Sequence, residues 1–232
     1  MKEKELEEIV NKIFQAVFNK DSNFEIDELK DKFAFDIKLP LEVTDSITGE
    51  ITYASSINSH KFITNNNMMK KDEEKGWMLP KKDVHSLKEL LDIWDSINYT
   101  TTERVYNSSN VVMSDPIYNS SNVFNSTDCS KVDKILFCDG IHNSSYVMAS
   151  QRSDTINYSI RVDDSNTVTN SYNVICSARV SNSFFIQDCS DLFECIFCSH
   201  ISNKEYCISN MQFTREEYYF LKDKIIEWIL SK

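Results

Sequence analysis

Residues 105–150 read VYNSSNVVMSDPIYNSSNVFNSTDCSKVDKILFCDGIHNSSYVMAS, and the fold follows from taking every third one. From Val105 this frame visits Ser108, Val111, Ser114, Ile117, Ser120 and Val123. It runs on through Ile135, Val147, Ile156, Val168, Val174, Val180 and Leu192 to Ile201. No charged residue falls in the frame before Lys204. A column of small and aliphatic side chains that excludes charge is an interior, because a buried unpaired ion is too costly to keep. A period of three suits neither a helix at 3.6 nor a flat strand at 2, so the segment is a coil of stacked turns.

The turn length follows from the repeats. The phrase NSSxV begins at Asn107, Asn119 and Asn143, spaced by 12 and 24. Stepping by 12 from Val112 meets Phe124, Leu136, Met148, Ile160, Tyr172, Phe184, Ile196 and Ile208, all apolar, whereas a step of 18 lands on Ser130 and Asn166. Asn, Asp, Gly and Pro recur about six residues apart, which places two corners in each turn. The segment 106–213 holds 13 Asn and 21 Ser, yet keeps strict phase, which a disordered chain does not. The reading is a thin β-solenoid over 104–213, with about nine rungs of 12 residues and a length of roughly 43 Å at roughly 4.8 Å per rung.

Residues 1–103 read as a mixed α/β N-terminal domain. Leu6, Ile9, Val10, Ile13 and Val17 at helical spacing predict an amphipathic helix over about 2–19. Alternating Phe33, Phe35, Ile37 and Leu39 predict a strand, and Thr48-Gly49 a hairpin or turn. Polar, aperiodic 65–76 reads as a surface loop. Leu87, Leu90, Leu91, Trp94 and Ile97 predict a second amphipathic helix. Past the coil, Thr214 and Glu217 form a capping box that opens a C-terminal capping helix over 214–232, with Phe220, Leu221, Ile225, Trp228 and Ile229 as its apolar residues. Such caps cover the strand edges that an open terminal rung exposes.

The 12-residue rung with inward positions every third residue resembles the coil of certain insect antifreeze proteins. Their ice-binding face is a ladder of outward Thr pairs, which this chain lacks, so the resemblance implies geometry and not ice binding. Residues 193–225, FECIFCSHISNKEYCISNMQFTREEYYFLKDKI, are similar to the C-terminal ends of uncharacterised Asn- and Cys-rich repeat proteins of bacteriophages and uncultured bacteria. That similarity covers about half of the chain and implies the fold and a phage origin, and nothing about chemistry.

Composition narrows the function. Net charge is −11, with 36 acidic against 25 basic residues, which argues against direct nucleic-acid binding. Three glycines, Gly49, Gly76 and Gly140, cannot build a phosphate loop, a dinucleotide fingerprint or a nucleophile elbow, and no motif calls for a cofactor. The N-terminus MKEKELEEIV is not a signal peptide, and no window is apolar enough for a membrane span. The expectation is a cytoplasmic protein with its seven cysteines reduced.

Cys189, Cys195, Cys198 and Cys207, with His200 among them, include the CxxC spacing of zinc sites. All four lie in the inward frame, so they read as core thiols and no metal is expected. Asp128, Asp139, Asp163, Asp164, Asp188, Asp191 and Glu194 offer carboxylate pairs, but several are corner residues and none is assigned a catalytic role. The stripe Val112, Phe124, Leu136, Met148, Ile160, Tyr172, Phe184, Ile196 and Ile208 adjoins the interior and should face outward, so something must cover it: the chain's own terminal helices, a protein partner or a second copy in a homodimer. The leading expectation is a non-enzymatic interaction protein presenting an acidic rod and this stripe to a protein partner, such as a host factor or an assembly component of a phage. The alternatives are a carbohydrate-active β-helix enzyme with paired carboxylates, and a nucleic-acid mimic.

Overall fold

An inward side chain at every third residue obliges the backbone to bend once per triplet. In the computed structural model, which describes residues 1–58 and 60–231 and only the backbone of 73–75, it does so by one device. Every third residue from Asn107 to Ser209 has a left-handed φ of 44–63°, except Pro116, whose ring fixes φ near −65°. A triplet is therefore an inward residue, an outward residue and a left-handed corner, as in Val111, Val112 and Met113. Four triplets make a rung. Corners thus come twice as often as the six-residue spacing of Asn, Asp, Gly and Pro suggests. The additional ones fall on residues such as Phe137, Thr155 and Arg179, which rarely adopt this conformation and so give no turn signal.

The rungs stack in parallel with a register of 12: Val111 pairs with Val123, Ile135 with Val147, and Val174 with Ile186. Buried serines tie them together. Ser171 Oγ accepts the Ser183 N–H at 3.2 Å and donates to the Thr169 carbonyl at 2.8 Å, so a buried hydroxyl is satisfied while it serves the next rung. Ser120, Ser126, Ser159, Ser165, Ser177 and Ser183 repeat both bonds. This is why small and aliphatic residues alternate in the frame: serine supplies rung-to-rung acceptors, and Val, Ile and Leu supply the apolar lining. The alternation inverts at Ser150 and Ser153, where the longest strand, Gln151–Asp163, runs through.

The N-terminal segment begins with α1 (Glu3–Phe18) and α2 (Ile26–Phe33), followed by the hairpin β1 (Leu41–Thr44) and β2 (Ile51–Ala54). Next come β3 (Phe62–Thr64), α3 (Asn65–Lys75), α4 (Leu87–Ile97) and β4 (Thr100–Thr102), the last parallel to β3. Two expectations are corrected. Phe33 closes α2, whose capping box of Glu25 and Glu28 competes successfully with the short alternation that suggested a strand. The loop expected at 65–76 is a helix, started by Thr64 Oγ1 accepting the Asn67 N–H at 3.3 Å and ended at Gly76 with φ 65°.

Two buried aspartates organise this end. Asp45 accepts from the N–H groups of Ile47, Thr48 and Thr64 and from Asn67 Nδ2, at 2.7–3.1 Å, locking the hairpin to β3 and α3. Burial alone would raise its pKa, but these donors outweigh burial and hold it at about 2. Asp115, fully buried in the first rung, accepts from Arg104 N, Nε and Nη2 and from Ser55 N and Oγ, at 2.9–3.1 Å. It fastens the hairpin to the coil.

The last helix, α5 (Arg215–Leu230), carries the expected capping box: Thr214 Oγ1 accepts the Glu217 N–H at 3.3 Å, and Glu217 accepts the Thr214 N–H at 3.0 Å. Its buried residues are Tyr218, Ile226 and Ile229, while Phe220 and Trp228 are exposed. Lys222 reaches into the coil and pairs with buried Glu194 at 2.7 Å. Among the described residues, no helix is long and apolar enough to cross a membrane.

Candidate interaction surface

The stripe from Val112 to Ile208 is covered by the chain itself. Leu136, Met148, Ile160, Phe184, Ile196 and Ile208 are buried in one core with Leu6, Ile9, Val10, Ile13, Phe14, Val17 and Phe18 of α1, Leu29 and Phe33 of α2, and Tyr218, Ile226 and Ile229 of α5. Phe124 and Tyr172 pack at its edge, and Val112 is half-buried. Phe18 meets Tyr172 and Phe184 at ring distances of 5.6 and 5.8 Å, while Asn110 Nδ2 donates to Glu5 near the other end of α1. The helix lies along the rod. Eight of the nine residues, all but half-buried Val112, are therefore core or core edge and not a free face for a partner, because α1 and α2 pack on the coil rather than within a separate N-terminal core.

What stands uncovered is α4. Its sequence LKELLDIWDSI sets Leu87, Leu90, Leu91 and Trp94 on one face, as the sequence predicts, yet no residue of the helix is buried. These four side chains are 71, 52, 55 and 55 % exposed, and Met78, just before the helix, is 90 % exposed. The helix is locally well made: Ser86 Oγ accepts the Glu89 N–H at 3.2 Å, and Glu89 accepts the His85 N–H at 2.8 Å. Its base is anchored by Lys61, which pairs with Asp95 at 2.5 Å. Lys71 adds to this by lying over the rings of Trp77 and Tyr99 at 4.2 and 4.8 Å.

The acidic residues of the coil are mostly spoken for. Arg152 binds Asp163 at 2.6 Å and Asp164 at 3.2 Å, Arg179 binds Asp191 at 2.5 Å, and Asp139 accepts from Thr127. The His200 ring lies 3.6 Å from Asp188. A groove of about 640 Å³ runs over the coil between Asn107, Asn119, Lys131 and Asn143 on one lip and Ser121, Asp133, Ser145 and Asn157 on the other. Its single carboxylate, Asp133, is paired with Lys134.

Six of the seven cysteines are lining, and Cys176 stands exposed at a corner. Cys129, Cys138 and Cys189 donate to the carbonyl two residues back at 3.0–3.2 Å, as the serines do. Burial pushes the Cys138 thiol up to about 12. Among the described residues, no three His, Cys, Asp or Glu side chains converge to hold a metal, and Cys189, Cys195, Cys198 and Cys207 all fall on the three-residue period of the coil.

One alignment escapes the linear reading. Ser130, His142 and Asp154, 12 residues apart, follow one another up a single outward column, with Ser130 Oγ 3.2 Å from His142 Nδ1. Stepping histidine by 12 would have found it. Asp154 accepts instead from Asn143 Nδ2 at 2.9 Å and Thr155 Oγ1 at 2.5 Å, so the relay that activates a nucleophilic serine is incomplete. No family model, curated protein or solved structure matches the chain.

Proposed function

We propose that this is an interaction protein: a rigid coil that holds α4 out as the docking element for a protein partner. The observation that carries the reading is a well-capped amphipathic helix of 11 residues whose apolar face, Leu87, Leu90, Leu91 and Trp94, is more than half exposed. A helix of this length is marginal in water by itself, and in globular proteins the packing of the apolar face supplies most of its stability. Four large apolar side chains in register also form the pattern by which a helix docks in a groove or on another helix. The role expected for the stripe passes to α4, since the stripe is core.

The alternatives draw less support from the same geometry. A glycosidase needs two free carboxylates facing one groove; the 640 Å³ groove offers only Asp133, tied to Lys134, and in the 520 Å³ groove beside His142 the two acids are engaged, Asp154 by Asn143 and Thr155 and Asp164 by Arg152. A nucleic-acid mimic needs rows of free carboxylates, whereas Asp163, Asp164, Asp191 and Glu194 are paired with Arg152, Arg179 and Lys222. The test is a photo-crosslinking residue at position 91 of the full chain, with position 166 on the coil as control. The reading predicts a protein adduct from 91 that Trp94→Asp abolishes, and none from 166. An equal yield from both positions, or none from 91, would overturn it.

A further inference from the structure

The apolar face of α4 has a symmetry that suits a second copy of itself. Leu87, Leu90, Leu91 and Trp94 stand at i, i+3, i+4 and i+7, a spacing that reads the same in either direction about a centre between Leu90 and Leu91. A second α4 laid antiparallel about a two-fold axis sets Leu90 over Leu91 of the second copy and Leu87 over Trp94 of the second copy. Such an isologous pairing uses one patch on both chains and closes at two.

The charges beside the face agree with this arrangement. Lys88, Asp92 and Asp95 all border the same edge, since seven residues make almost two full turns. Antiparallel pairing brings that edge against its own reverse. Lys88 then lies beside Asp92 of the second copy, offset by about 1.5 Å along the axis at 1.5 Å per residue, while Asp95 stays with Lys61 of its own chain. Glu89, on the other edge, is turned back to cap His85.

Resting on the reading of α4 as a docking element, we infer that its occupant is a second copy of this chain, paired antiparallel through Leu87, Leu90, Leu91 and Trp94. The experiment is sedimentation equilibrium of the full chain over a range of concentrations. Wild type should approach twice the 27.0 kDa of one chain, and Leu91→Asp should sediment as one chain. Lys88→Glu should raise the dimer Kd by about tenfold, because it places like charges together at two symmetric sites, and adding Asp92→Lys should recover most of that loss. Circular dichroism of Lys88→Glu guards against simple unfolding, since an acid in the first turn favours the helix.

A wild-type mass of one chain at all concentrations overturns the inference, as does a dimer that Leu91→Asp leaves intact. If the chain is monomeric while the crosslinker at 91 captures a different protein, α4 remains the docking element and only the second copy is wrong. If neither self-association nor an adduct is found, both readings fall.

Discussion

Replacing Ser171 by alanine tests the account of the coil most directly. Ser171 is fully buried, and its hydroxyl both accepts the Ser183 N–H at 3.2 Å and donates to the Thr169 carbonyl at 2.8 Å. Alanine leaves a buried N–H with no acceptor, and such a group costs about 1–3 kcal/mol, while the loss of one oxygen atom opens almost no cavity. A destabilisation of about 2 kcal/mol is expected, which in urea would lower the midpoint with no change in slope. Ser171→Cys should cost clearly less, because Cys138 and Cys189 already occupy equivalent positions and make the same donor bond. Native-state hydrogen exchange adds a local signature: the Ser183 amide should lose protection out of proportion to its neighbours. If Ser171→Ala is neutral, or if alanine and cysteine cost the same, serine is merely small and the rung-to-rung bond is not what selects it.

Further expectations concern the parts around the coil. Phe18→Ala removes the aromatic contact between α1 and the stripe and should cost about 3–5 kcal/mol, read by urea denaturation, whereas Phe35→Ala at an exposed site should change little. Asp45 has a folded pKa of about 2, below its unfolded value of about 3.9, so its contribution of about 2 kcal/mol is present above pH 4 and is lost as pH falls through 2. Asp45→Asn should remove that contribution at pH 7 and flatten the acid limb, followed by exchange of the β1 and β2 amides. Lys222→Met strands a buried carboxylate on Glu194 and should cost about 3–5 kcal/mol, most of it recovered when Glu194→Leu is added. Lys204 occupies the lining frame on the strand Ser202–Glu205 but is exposed there, since among the described residues that strand pairs with the rung before it alone, so Lys204→Val should let chains stack end to end, visible as large species in sedimentation.

The architecture of the coil was readable because its lining is written in strict phase: the step of three marked the interior, and the step of 12 marked the rung. The corners were half hidden, since asparagine and aspartate advertise left-handed backbone but Phe137 and Thr155 do not, and there the stacked ladder imposes the angle on the residue. The alternation of serine with aliphatic residues was visible, but its reason was not, because the partner of each hydroxyl lies 12 residues away. The apolar face of α4 could be read residue by residue. That nothing covers it could not, because a hydrophobic stripe in a sequence implies burial, and here the helices at 3–18 and 215–230 take the coil while the one at 87–97 takes nothing. The column of Ser130, His142 and Asp154 carries no linear motif, because its members are neighbours up the stack and 12 residues apart along the chain.

The helix laid along the rod acts as a gauge of its length. Sixteen residues of α1 span about 24 Å, or about five rungs at roughly 4.8 Å, and α5 shields the rungs beyond its end. Duplicating one 12-residue unit would keep every lining residue in phase, so the repeat itself sets no ceiling on growth. The added rung would, however, bring one more apolar residue to the flank with no helical turn left to shelter it, and so the size of the coil is fixed from outside by its splints.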